Sequence, residues 1–384
     1  MRIRSVGILS AGALFAGAAV AHHGFGTFAM NEDIELSGTV TNLDFVNPHS
    51  WLSFDVTLED GSIREYRCEM RSATTLRRSG WAPEMFPPGT QVTIQGSPDR
   101  IDPAACYVST ITIDESGTSL DRYSQLVEAE VQTDRVAILA NGHPNLAGDW
   151  AVEQRIMTDP KGRDGTLVAL SEAEDYGVGG VPEGQQEIPG ARGTPEAEIV
   201  RDPNAPRRFR SPIELTAAGQ AAMEAIAEIP RLERSCMAGS IVSDWGGEPV
   251  NRIVQSDDEI RILYGAHGRE RTIDMRNTVH LGNIEPSWSG HSIGWWEGDV
   301  LVVDTVGLEP GILGGFGSIP HSSSLHVVER FALDPDAMTL TRTFEAEDPE
   351  YLTEFYSGST TMILSNVPYE PEPCEDLTPI EAPQ

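Results

Sequence analysis

Nine histidines are the first residues to weigh, because imidazole binds metals and moves protons near neutral pH. Two stand together as His22-His23, and a third follows in Asn47-Pro48-His49-Ser50. If the chain is cut after Ala21, His22 becomes the first residue, and its α-amine and imidazole can chelate one ion. His23 and His49 would add further nitrogens. An amine with imidazoles in a roughly planar set suits Cu(II), so copper is the ion these residues predict. The competing reading is a frayed terminus with solvated imidazoles. A second set lies downstream: His291, Asp304, His321 and Glu329, with Glu297 and Asp299. A histidine beside a carboxylate can act as a general acid–base pair. Ser292 and Ser322 are nearby hydroxyls, but neither lies in a Gly-x-Ser-x-Gly elbow. Here the competing reading is structural, with His291 and Asp304 satisfying one another and Glu297-Gly298-Asp299 serving only as a turn. The third set is aromatic: Trp288, Trp295 and Trp296 are ligand-binding candidates. Adjacent strand residues face opposite ways, so only one of Trp295 and Trp296 can line an interior.

These residues need a scaffold, and the first 21 residues say where it belongs. Arg2 and Arg4 precede an apolar run from Val6 to Val20, which closes on Ala19-Val20-Ala21. That is the pattern of a cleavable signal peptide, and the run falls short of the ~20 residues a spanning helix needs. A periplasmic or secreted protein without a membrane span in its mature form is the expectation. Lys plus Arg number 27 against 59 Asp plus Glu, a formal charge of −32. Such a surface repels phosphate backbones, so nucleic acid is excluded as a partner. The four cysteines, Cys68, Cys106, Cys236 and Cys374, are even in number and lack Cys-x-x-Cys spacing. In an exported chain this predicts disulfides rather than a zinc knuckle or a redox centre.

About 360 residues remain after residue 21, enough for two cores. The reading places an OB-fold-like β domain at 22–118, a connector at 119–145 and an antiparallel barrel-like domain at 146–384. In the first domain Ile34 to Phe45, Trp51 to Leu58 and Ile63 to Met70 alternate as strands, with Glu59-Asp60-Gly61-Ser62 as a hairpin turn. Ser72 caps a short helix, Ala73 to Arg78, stopped by Gly80. Gln91 to Gln95 and Tyr107 to Ile113 follow the Pro87-Pro88-Gly89 turn. Three strands, a helix and two strands is the order of an OB-fold. The connector reads as partly helical around Ser124 to Glu130.

Gly148-Asp149-Trp150 opens the second domain as a strand, and residues 158–212 read as an irregular insertion. Ala217 to Glu228 is a helix with Thr216 as N-cap and Pro230 as its stop. Eight further strands follow: Arg252 to Gln255, Glu259 to Tyr264, Arg271 to Met275, Gly290 to Trp296, Val300 to Val306, Leu325 to Phe331, Thr339 to Phe344 and Thr360 to Leu364. Short turns between them predict a barrel or coiled sheet, its interior either filled or holding a small apolar ligand. With this division the cysteines pair as Cys68–Cys106 and Cys236–Cys374.

Two stretches resemble an uncharacterised exported bacterial family. The first runs through Ala21-His22-His23-Gly24-Phe25, Leu36-Ser37-Gly38-Thr39-Val40, Asn47-Pro48-His49-Ser50-Trp51 and Arg78-Ser79-Gly80-Trp81. The second is Gly290-His291-Ser292-Ile293-Gly294-Trp295-Trp296-Glu297-Gly298-Asp299 through Thr305, continued by Pro320-His321-Ser322, Leu325 to Arg330 and Glu347-Asp348-Pro349 with Tyr351. Trp295 stands where that family usually has Arg, and Met237-Ala238-Gly239 stands where it has a Pro-rich phrase. The Gly-x-Trp opening at Gly148 is similar to the first strand of lipocalin-like barrels. The resemblance implies architecture and no settled activity.

Taken together, the residues predict a mainly β exported protein that binds a small molecule or a metal ion. One alternative is a periplasmic hydrolase or isomerase using histidine and carboxylate inside the second barrel. The other is a structural or interaction protein of the envelope.

Overall fold

The computed structural model describes residues 28–124, 126, 135–157, 167–169, 213–230, 236–237, 239–314, 319–371, 374–375 and 377. The expected signal peptide, most of the stretch 124–130 read as helical and most of the 158–212 insertion lie outside these residues.

Alternation of apolar and polar residues builds the first barrel. Strands β1 (Ile34–Asp44), β2 (Trp51–Thr57) and β3 (Ile63–Glu69) form an antiparallel meander. The hairpin between β2 and β3 turns at Gly61, whose φ of 81° is a left-handed conformation that suits glycine. Ser72 caps helix α1 (Ala73–Arg78) by accepting from the Thr75 amide. Strands β4 (Gln91–Pro98) and β5 (Ala105–Ile113) follow, with β4 beside β1 and β5 running parallel to β3. The β3–β5 pairing closes the five strands, and the Cys68–Cys106 bridge joins two residues directly opposite in it. Leu52, Phe54, Cys68, Val92, Ile94, Cys106 and Ile111 fill this barrel. A sixth strand, β6 (Thr118–Asp121), adds to β5 where the sequence predicted only connector.

The second barrel opens with β7 (Gly148–Val152), where Trp150 is fully buried and donates its indole N–H to the Leu146 carbonyl. A short hairpin, β8 (Arg155–Met157) and β9 (Leu167–Ala169), follows. Helix α2 (Ala217–Ala227) begins at Thr216, whose hydroxyl accepts from the Gly219 amide, as the sequence predicts. Helix α3 (Ile241–Trp245) was not foreseen; its five residues carry too little periodicity to be read as a helix. Then come β10 (Asn251–Gln255), β11 (Glu259–Tyr264), β12 (Arg269–Asp274), β13 (His291–Glu297) and β14 (Val300–Val306). After the small hairpin β15 (Gly311–Gly314) and β16 (Ile319–His321), the chain returns as β17 (His326–Asp334), β18 (Thr339–Glu347) and β19 (Tyr356–Leu364). Strand β19 pairs with β7, so β7 and the eight strands expected downstream make a closed barrel. Only β12–β13 is parallel, because the long connection over residues 275–290 crosses the barrel end.

The interior of this barrel is filled. Trp150, Tyr264, Ile273, Leu301, Val303, Val327, Phe331 and Met362 pack with Ile241, Val242 and Trp245 of α3. No helix among the described residues is long and apolar enough to cross a membrane. The second bridge, Cys236–Cys374, ties the tail to the segment before α3. That tail also touches the first barrel: Asn47 and Cys374 form a bridge pair, and Arg67 donates to the Leu377 carbonyl at 2.9 Å.

Candidate functional site

Strand parity sorts the candidate residues. On β14, Leu301, Val303 and Thr305 face inward, whereas Asp304 lies on the outer face. On β17, His326 is outside and Glu329 inside, because they differ by an odd number of positions. His291, at the start of β13, also lies outside.

The outer face carries a chain of four side chains. The imidazole Nε2 of His280 lies 3.0 Å from Asp304 Oδ1, and Nε2 of His326 lies 2.8 Å from that same oxygen. His280 Nδ1 lies 2.8 Å from His291 Nδ1. A carboxylate oxygen only accepts, so both imidazoles donate to Asp304. Neutral His280 must then accept at Nδ1, and His291 donates to it from its own Nδ1. The group is half-buried, with side-chain exposures of 21% for His280, 24% for Asp304 and 39% for His326.

The chain is fixed by its surroundings. Ser287 hydrogen-bonds backbone to backbone with Gly307 and Glu309, pinning the 275–290 connection beside the end of β14. Gly307 has φ of 73°, and Ile284 sits where a β-carbon would stand, so only glycine lets the loop lie this close. Burial and the neighbouring His280 depress the His291 pKa. The hydrogen bond to Asp304 raises that of His326 despite burial. Burial pushes Asp304 upward, but the hydrogen bonds from His326 and His280 prevail and hold it below the usual carboxylate range.

This arrangement corrects the sequence reading of the second set. His291 and Asp304 are not a direct pair; His280 stands between them. Glu329 is wholly buried inside, at 2.6 Å from Arg271 and 3.3 Å from Arg342. Arg271 also donates to Ser292 and Thr305, and Arg342 donates to the Val242 carbonyl near the start of α3. His321 is buried against Gly311, its Nδ1 3.1 Å from the Ser322 carbonyl, and burial lowers its pKa. Ser322 itself donates to Asp348, so neither Ser292 nor Ser322 is held by an imidazole. The four residues therefore occupy three separate places and line no common cavity. The sequence reading did not single out His280, which stands in no motif, or His326, although it alternates outward on a recognisable strand within the Leu325 to Arg330 stretch.

The tryptophans are likewise dispersed. Trp296 packs against the core and stacks on His143 at 4.6 Å. Trp295 turns outward and donates to Glu297. Trp288 caps the barrel end, donating to the Gly239 carbonyl and meeting Tyr264 edge-on. A groove of about 490 Å³ lies elsewhere, between Gly148, Asp149, Arg252 and the 364–368 segment. Its wall is an Arg252–Asp149 pair with two contacts, at 2.6 and 2.8 Å.

Of the N-terminal set, His49 lies 2.9 Å from the buried carboxylate of Glu69, an ion-pair partner the sequence did not predict. His22 and His23 lie outside the described residues. Among the described residues, no three His, Cys, Asp or Glu side chains are arranged around a common metal centre.

Residues 11–105 match a family model described as a family of unknown function (DUF6152). The match covers the first barrel as far as the start of β5, and the second barrel lies outside it. No curated protein and no solved structure matches the chain.

Proposed function

We propose that this is an exported binding protein whose ligand site is the outer-face chain of His280, His291, Asp304 and His326, rather than the interior of the barrel. One observation carries this reading: a single carboxylate oxygen accepts from two imidazoles while a third imidazole joins the row, all on a half-buried surface. A purely structural role needs one satisfied pair, not two imidazoles on one carboxylate oxygen with a third imidazole behind them. The interior offers no comparable place, since the Arg271–Glu329–Arg342 cluster and the apolar core fill it. A hydrolase or isomerase would need acid–base groups converging on a concave cavity, and the candidates for those roles are dispersed. Export is supported by the signal-like start and by two disulfides. The closing order of the first five strands favours an OB-type barrel, and the Gly148-Asp149-Trp150 strand favours a lipocalin-like second one.

Native mass spectrometry of the protein purified from its export compartment tests the site. The wild-type chain should retain a non-covalent mass that His280→Ala and Asp304→Asn lose while keeping their thermal midpoints near wild type. The same bound mass in all three forms, or none in the wild type, overturns the reading.

A further inference from the structure

We propose that the outer-face site holds a divalent transition-metal ion of borderline softness, with His280 Nε2, His326 Nε2 and the Asp304 carboxylate as its protein ligands. This rests on the site reading above and names its ligand class. Zn(II) represents the class, whose imidazole–carboxylate chemistry Co(II), Ni(II) and Cu(II) share.

The donor set is the first argument. Two imidazoles and one carboxylate with a fourth position left open is the ligand count of a zinc site that admits water or a small molecule. The spacing is the second. The three groups meet through contacts of 3.0 and 2.8 Å, both to Asp304 Oδ1. Ligands held about 2.0–2.1 Å from a tetrahedral centre stand roughly 3.3 Å apart, so each contact has to open by only a few tenths of an ångström. Among the described residues no three such side chains already surround a common centre, and this small opening is the movement that an ion would require.

His291 supplies the third argument. Metal-bound histidines usually engage their other ring nitrogen with a partner that fixes ring and tautomer. His291 Nδ1 already faces His280 Nδ1 at 2.8 Å. When His280 Nε2 gives its lone pair to the ion, its proton resides on Nδ1 and is donated to His291 Nδ1, which becomes the acceptor while His291 carries its own proton on Nε2. The proton count of the two neutral rings is unchanged. His291 is thus a positioning residue, not a ligand. A formal charge of −32 also raises the local concentration of cations over anions at such a surface.

Zn(II) titration calorimetry on the full chain decides the matter, with His22 and His23 replaced by Ala so that the terminus cannot contribute. One zinc per chain is expected, with affinity reduced at least tenfold by His326→Gln and by Asp304→Asn, and reduced less by His291→Phe. Co(II) should give the visible absorption of a four-coordinate site, absent in His326→Gln. Because Asp304→Asn could perturb folding, each variant's melting curve in chelator is compared with the parent's, and His326→Gln provides the independent check. No zinc uptake, or uptake that neither substitution weakens, overturns the metal assignment. An organic mass retained by the wild type and lost in the variants, without zinc binding, would overturn the metal while leaving the site in place.

Discussion

Asp244, on α3 at the end of the second barrel, is 8% exposed, and burial pushes its pKa up to about 7 against the opposing pull of Arg269 and the Ser243 hydrogen bond. The folded chain therefore holds a proton that the unfolded chain releases near pH 4. Between those two values the native state binds more protons, so this residue's effect on stability worsens as pH rises through the window. Asp244→Asn should match the wild type near pH 4 and exceed it at pH 8 by up to roughly 3–4 kcal/mol, read by urea denaturation at both pH values. Equal pH slopes for the two proteins would rule the account out. At this scale the sequence was least informative. Asp304 and His291 could be picked out by type, but their connection through His280 depends on where residues 275–290 cross the barrel, and that stretch has no alternation to read. Asp244 gave no signal either, since a lone carboxyl in a five-residue helix looks like any solvated one.

Strands were far more legible, because alternation is a local property. All eight downstream strands and the opening strand at Gly148 could be placed from it, as could the caps at Ser72 and Thr216. What alternation alone does not supply is register between strands, and register decides which polar residues meet. Val303 stands opposite Glu329 and Asp304 opposite Val328, so one step of register sends Glu329 into the core and away from the histidines. Inside, Glu329 holds Arg271 on β12 and Arg342 on β18, linking strands from opposite sides of the barrel. Glu329→Gln leaves two buried guanidinium groups facing one another without a counter-charge. A loss of about 3–5 kcal/mol in chemical denaturation is expected. The outer-face variants should show no comparable loss, and similar destabilisation in both places would mean that the outer chain is also part of the framework.

For the whole molecule, one link between the two barrels is Glu248, in the segment between α3 and β10, beside those that Gln154 makes to Thr75 and Asn366 to Arg78. The stem of Glu248 is exposed, but its carboxylate accepts from Ser72 and Thr75 at 2.7 Å each, at the start of α1 in the first barrel. Burial of that tip opposes its ionisation, yet the Ser72 hydrogen bond and the charges of Arg71 and Arg78 prevail and depress its pKa. A depressed carboxyl contributes stability above its unfolded pKa of 4.5 and loses it as pH falls through the folded value. Calorimetry should accordingly show the barrels melting together at pH 7 and separating into two transitions toward pH 3. In Glu248→Ala the separation should already be present at pH 7. A single transition for that variant at both pH values would show that the other links and the disulfide-anchored tail, not Glu248, couple them.

Closure of the second barrel by β7 and β19 has a consequence for how the chain reaches this form. Gly148 to Val152 precede Tyr356 to Leu364, the strand that must lie beside them, by some two hundred residues along the chain. Closing so long a loop is slow, and until it happens β7 offers an unpaired edge on that side. The first barrel, whose most distant strand partners are β1 and β4, with Ile34 opposite Gly96, closes over a much shorter stretch of chain. Folding in chain order would therefore pass through a stage in which a closed amino-terminal barrel carries an open sheet behind it. Protection of that edge from other chains should accordingly raise the yield of folded protein, measured by refolding at increasing protein concentration.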